Sequence, residues 1–235
     1  MLKWLFGFFI LFFTLSSQAN VVILGTRIIY EADKKNISVQ LENNSERPAL
    51  VQAWLDDGRT NVDPSTMKLP FVITPPVSRM DAKSQQVLRI RYTGEPLAQD
   101  RESLFYFNLF DIPPKPSKKE LEKNPNYLQF AVNNRLKFFF RPSNLPYPVS
   151  DAYQKVNWKV NGKTLVVKNP TPYHITYLAI ELKQGSKIYK VKNADMVAPF
   201  SEASFDLVQP VKGKAEVHWH IINDYGGKHS GQSTL

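Results

Sequence analysis

The chain is predicted to be all-β and to fold as two sandwich domains in series. Three observations predict this. Apolar–polar alternation of period two recurs through most of its length, turn and proline signals punctuate the alternating runs, and no segment sustains a helical period. A count of 17 prolines against 10 glycines fits strand ends and rigid loops better than long helices. The 235 residues are enough for one or two domains, and 43% hydrophobic content supports a buried core in place of a disordered chain. Cysteine is absent, which excludes a disulfide scaffold, a thiol nucleophile, an iron–sulfur cluster and any cysteine-ligated zinc site.

The first segment, Met1–Ala19, reads as a secretory signal peptide. Lys3 supplies the positive start, Trp4–Phe13 is an unbroken apolar run, and Ser17-Gln18-Ala19 forms a small-x-small cleavage site. A membrane anchor needs about 20 apolar residues, more than this run offers, so no stable membrane insertion is expected. The mature chain is expected to start at Asn20 and to reside in the periplasm. Thirty Lys and Arg against 21 Asp and Glu give a net charge of +9. An exported chain rarely meets nucleic acid, so that partner is not expected despite the charge.

Strands then follow in order. Asn36–Asn43 sets Ile37, Val39 and Leu41 on one face, and Ala49–Leu55 is closed by the turn signal Asp56-Asp57-Gly58. Thr74-Pro75-Pro76 interrupts an apolar run, as prolines do at sheet edges. Gln86–Tyr92 alternates Leu88, Ile90 and Tyr92 against Val87, Arg89 and Arg91, and Leu104–Phe110 is apolar on both faces like a central strand. The lysine- and proline-rich Asp111–Asn126 reads as a solvated, mobile loop. In Tyr127–Arg135, Leu128, Phe130 and Val132 share one face of an expected edge strand. Exposed bulky residues on such an edge are an aggregation hazard unless they serve a partner.

Pro142, Pro146 and Pro148 mark a linker over residues 142–150, between domains at 20–141 and 151–235. Beyond it, Asn161-Gly162 is a hairpin signal, and Ile175–Leu182, Lys187–Lys192, Ala203–Val208 and Ala215–Ile222 continue the alternation. Halves of about 100 residues with strands at this spacing have the size and rhythm of immunoglobulin-like sandwiches.

The run Leu97-Ala98-Gln99-Asp100-Arg101-Glu102-Ser103-Leu104-Phe105-Tyr106-Phe107-Asn108-Leu109-Phe110-Asp111-Ile112-Pro113 resembles the signature of periplasmic pilus-assembly (fimbrial) chaperones of the chaperone–usher pathway. Gln52-Ala53-Trp54, Thr74-Pro75-Pro76-Val77, Asn169-Pro170-Thr171-Pro172-Tyr173 and Ile222-Asn223-Asp224-Tyr225-Gly226-Gly227 extend the resemblance over nearly the whole mature chain. It implies two immunoglobulin-like domains set at an angle around a cleft. It implies a client, a pilus subunit lacking its last strand, whose groove is filled by donor-strand complementation from Leu128, Phe130 and Val132. Arg27 and Lys137 match the family's two cleft cations, which bind the subunit's terminal carboxylate. Glu102, Arg141 and Asp224 match an ionic link between domains; as exposed pairs they are expected to set orientation more than stability. Further partners implied are an outer-membrane usher and, when client-free, another copy of the chain through self-association. Asn134, next on the apolar face, limits the expected plugs to three. The loop after Pro113, although somewhat extended, resembles the family's short-loop branch more than its long-loop branch, as does the missing cysteine pair.

Enzyme readings find little support. His218 and His220 share a strand face without a third ligand, and the adjacent Asp56 and Asp57 lie in a turn. No phosphate-cradling glycine loop, nucleophile elbow or zinc helix motif is present, so neither catalysis, a metal nor a cofactor is expected. The alternative readings are a secreted adhesion or structural β-sandwich protein and, less favoured, a β-domain hydrolase.

Overall fold

The computed structural model of the protein describes residues 21–235, apart from residues 60, 124 and 212. The expected signal peptide and its cleavage site therefore lie outside the described residues.

The first half contains β1 (Val21–Ile23), β2 (Arg27–Glu31), β3 (Ile37–Asn43), β4 (Ala49–Asp56), β5 (Phe71–Thr74), β6 (Val77–Met80), β7 (Gln85–Tyr92), β8 (Ser103–Ile112) and β9 (Val132–Arg141). They form two facing sheets, ordered β1-β3-β7-β5 and β2-β9-β8-β4-β6. Their inner faces bury Leu41, Leu88, Ile90, Phe107, Leu109, Phe138 and Phe140 around the fully buried Tyr30. The rings of Tyr30, Phe71, Tyr92, Phe138 and Phe140 pack at centroid distances of 4.7–6.4 Å, within the range of favourable edge and offset contacts. Alternation in Ile37–Asn43 and Gln85–Tyr92 falls as the period predicts, with Val39, Leu41, Leu88 and Ile90 inside.

The second half adds β10 (Asn157–Asn161), β11 (Thr164–Asn169), β12 (Ile175–Gln184), β13 (Lys187–Lys190), β14 (Met196–Val197), β15 (Ser201–Asp206), β16 (Glu216–Ile222) and β17 (Lys228–Thr234). The orders are β10-β11-β15 and β13-β12-β16-β17, with β14 beside β12. Trp219, Leu165, Val167, Ile175 and Val217 centre a separate core. The hairpin β10–β11 turns at Asn161-Gly162, where Gly162 takes φ +62°.

Two segments differ from expectation. The strand predicted from Tyr127 begins only at Val132, and residues 125–131 are irregular. Strand β8 ends at Ile112, and Pro113 and Pro114 carry no N–H with which to extend the ladder. The side chain of Gln129 bonds the Pro113 carbonyl at 2.7 Å instead. The loop read as mobile contains a short helix, α1 (Lys118–Lys123). Its start is a capping box: the Ser117 Oγ accepts from the Glu120 N–H, and Glu120 accepts from the Ser117 N–H at 2.7 Å.

A free strand edge that ends at two cations

Every ladder among the described strands is antiparallel except one. Strand β2 runs parallel to β9, with Arg27 opposite Lys137 and Glu31 opposite Arg141. On its other side β9 pairs with β8 along its whole length, from Val132 opposite Asp111 to Phe140 opposite Ser103. Consequently Val132–Leu136 have β8 on one side and, among the described residues, no strand on the other. The free edge stops where β2 begins, at Arg27 and Lys137.

The approach to this edge is apolar and exposed. Leu128, Phe130 and Val132 are 74%, 69% and 51% exposed. Leu136, Phe138 and Phe140 follow Val132 at period-two spacing, the last two in the core, so the three exposed residues stand next to the core-facing row of β9. Three large apolar side chains displayed together are unusual on a monomer and mark an interaction surface.

The two cations sit in a partly dry place. The Arg27 guanidinium donates from Nη1 to the Ile222 carbonyl at 2.9 Å, while its buried Nε has no partner among the described residues. Burial pushes the pKa of Arg27 down, opposed chiefly by Asp224. Lys137 lies 3.7 Å from the exposed Asp195 of the second domain, and burial likewise lowers its pKa against the pull of that carboxylate. Among the described residues neither has a buried anion as hydrogen-bond partner, so a carboxylate arriving here meets two incompletely neutralised cations.

On the opposite face of β9, Lys137, Phe139 and Arg141 point toward the second domain. Phe139 belongs to neither core; its ring lies 5.2 Å from that of His174 and 5.9 Å from the Arg27 guanidinium. Arg141 donates to Glu102 at 2.7 Å and to both oxygens of Asp224 at 2.6 and 3.0 Å. Burial acts to lower its pKa, but the bonds to Asp224 and Glu102 outweigh that and raise it. The link is not the exposed pair expected from the sequence: the side chains of Arg141 and Glu102 are 16% and 2% exposed. Glu102 also accepts the His174 N–H at 2.8 Å and faces its ring at 3.2 Å.

The motif blocks meet here. Buried Asn169 donates to the carbonyls of Tyr173 and Ala198 and accepts from Thr171, knitting the Asn169–Tyr173 loop. The Pro172 carbonyl of that loop receives the Glu102 N–H at 2.9 Å across the domains. In the 223–227 loop, Gly226 has φ +78°, and a Cβ there would stand 2.5 Å from the Thr26 hydroxyl, beside Arg27. Glycine is required on both counts.

The other constellations resolve separately. Asp56 accepts from Arg135 at 2.6 Å and Asn108 at 2.7 Å, whereas Asp57 pairs with Arg59 at 2.6 Å, so the two carboxylates do not converge. His218 faces Glu216 at 3.3 Å and His220 faces Ser230 at 2.7 Å. Among the described residues no group of three or more His, Asp or Glu could hold a metal. Sequence reasoning missed His174, Asp195, Phe139 and Thr26, whose roles come only from cross-domain contacts.

Two sandwiches, a free strand edge that ends at two cations and an ion-paired joint make up a two-domain all-β protein with an open edge between its domains. Residues 20–146 match the model of the pili and flagellar-assembly chaperone PapD N-terminal domain, and residues 151–233 match the pili assembly chaperone PapD C-terminal domain. The chain belongs to this family of pilus-assembly chaperones, whose role is not catalytic. It is 50% identical over 219 residues to the chaperone protein HifB of Haemophilus influenzae, covering 93% of this chain and 89% of that one. The crystal structure of the YadV chaperone superposes with a TM-score of 0.78 at 38% identity, covering 92% of this chain and all of the other. The SafB chaperone, solved in complex with the SafA pilin of Salmonella enterica, gives 0.76 at 25% identity, over 94% of this chain and 98% of the matched one.

Proposed function

We propose that the protein binds a pilus subunit in the periplasm by lending it the 128–136 segment as a missing strand, and then delivers it to an outer-membrane usher. The observation that carries this reading is the free edge of β9, flanked by Leu128, Phe130 and Val132 and closed by Arg27 and Lys137. A subunit strand added to Val132–Leu136 lies in line with β2. For its terminal carboxylate to reach the two cations it must run parallel to β9, as β2 does. Its backbone groups then pair with the edge, and the carboxylate fixes the register that ladder bonds alone leave free.

Magnitudes assign separate tasks to the two parts. Burying three such side chains contributes roughly 4–9 kcal/mol before ordering costs. Each charge-assisted bond adds about 1.5–3 kcal/mol and sets where the strand ends. Residues 125–131 are irregular here because they have no ladder partner; the client's groove supplies one. Arg141, with Glu102 and Asp224, holds the second domain against β9 so that Arg27 and Lys137 stay at the end of the edge. The apolar edge offers the client-free chain a second copy as a substitute partner.

Co-expression with a fimbrial subunit tests the reading. The chaperone is expected to bring down the subunit as a one-to-one complex; full recovery of folded, monomeric subunit without it would count against the proposal.

A further inference from the structure

Phe200 holds a backbone conformation that its side chain disfavours. It completes the Pro199-Phe200 turn between β14 and β15 with φ +51°. A turn with proline first and a left-handed residue second ordinarily takes glycine or asparagine there, because a bulky side chain crowds the backbone. Packing within its own domain does not account for the phenylalanine, which is 48% exposed and belongs to neither core. The turn is held by bonds that need no aromatic ring. The Phe200 N–H donates to the Thr171 carbonyl at 3.1 Å, and the Ala198 carbonyl accepts from Asn169 at 2.9 Å and from the Ser201 hydroxyl at 2.8 Å.

The ring meets the other domain. The Arg101 guanidinium lies 4.8 Å from the Phe200 ring centroid, within cation–π range. Asp100 accepts from Nε and Nη2 of Arg101 at 3.0 and 2.7 Å, a forked pair that fixes the guanidinium plane. Glu102, the next residue, donates its N–H to Pro172 in the same loop whose Thr171 carbonyl receives Phe200.

We propose that Arg101 and Phe200 form a second strut of the domain joint, beside the Arg141 link, with Phe200 as a positioning residue that accepts a left-handed backbone so that its ring meets Arg101. Adjacent residues of the first domain then grip two parts of the second: Glu102 the Asn169–Tyr173 loop, and Arg101 the β14–β15 turn. Two points of contact restrain a twist between domains that one alone permits. The consequence for subunit binding rests on the function proposed above, in which the second domain keeps Arg27 and Lys137 at the end of the free edge.

The test compares the protein with Arg101→Gln, Phe200→Gly, the double variant and Phe200→Tyr, using NMR residual dipolar couplings to orient each domain separately. In the parent both domains should align as one body. Arg101→Gln and Phe200→Gly are each expected to make the two alignments diverge, the double variant no more than either alone, and Phe200→Tyr to keep the parent's alignment. Glycine adopts this φ freely, so the β15 amides of Phe200→Gly are expected to stay at least as protected from hydrogen exchange as in the parent. Affinity for a subunit's carboxy-terminal peptide is expected to fall about two- to fivefold in either single variant, the worth of one exposed cation–π contact. A common alignment preserved in both single variants, or β15 protection lost in Phe200→Gly, would overturn the strut. Divergent alignment with parental affinity would overturn its role in subunit binding alone. Parental affinity in Arg27→Ala as well would count against the proposed function on which that role rests.

Discussion

Arg27 and Lys137 are register partners in the parallel β2–β9 pair, so the point where the edge of β9 stops being free is also the point where two cations meet. Among the described residues neither is hydrogen-bonded to a buried anion, and both have pKa values lowered by burial. Arg27→Ala and Lys137→Ala are each expected to weaken subunit binding by about 10- to 100-fold, the worth of one charge-assisted bond. Their melting temperatures should stay close to wild type. Titration of a subunit's carboxy-terminal peptide by calorimetry checks both.

Phe130 is 69% exposed, so Phe130→Asp should leave folding intact while placing a charge in an apolar groove. Unpartnered burial of that charge costs several kcal/mol. Subunit aggregation assays should show no protection by this variant, and its thermal melt should match the parent.

Arg141→Ala leaves Glu102 buried with its guanidinium partner gone. Removing one member of a buried pair costs about 3–5 kcal/mol, more than the exposed link expected from sequence would lose. Calorimetry should show the two domains melting as separate transitions, with subunit affinity reduced.

Gly226→Ala places a methyl group 2.5 Å from the Thr26 hydroxyl at a φ of +78°. The strain is on the order of 1–3 kcal/mol. Because Thr26 precedes Arg27, subunit binding should fall along with the melting temperature.

Asp56 is held below its ordinary pKa of 3.8; burial opposes this, but bonds from Arg135, Asn108 and the Gly58 N–H prevail. A depressed carboxyl contributes stability in full above the unfolded value and loses it as pH falls through the folded one. Asp56→Asn should therefore flatten the acid limb of the stability curve below about pH 4, as chemical denaturation at stepped pH would show.

Much of this was legible in the sequence because period-two alternation reports burial directly: Val39, Leu41, Leu88 and Ile90 all lie in the core. The family motifs placed Arg27, Lys137, Glu102, Arg141 and Asp224 in the same region before any contact was visible. The start of β9 was not legible, since alternation over Tyr127–Val132 says nothing of whether β8 can still pair across Pro113 and Pro114. Helix α1 carried a readable sign, Ser117 followed by Glu120 three residues later. The burial of the Arg141 link was not readable, because it depends on how Phe139, His174 and Tyr173 pack around it. Asp195, an acid in a loop of the second domain, gave no local sign of reaching Lys137.

A crystal structure of the protein bound to a pilus subunit decides whether the β9 edge is lent to a client. In that complex residues 128–136 are expected as a strand seated in the subunit's groove, parallel to the subunit's last strand, with the terminal carboxylate within hydrogen-bond reach of Arg27 and Lys137. A subunit bound elsewhere, with Leu128, Phe130 and Val132 still facing solvent and both cations far from any carboxylate, would contradict it.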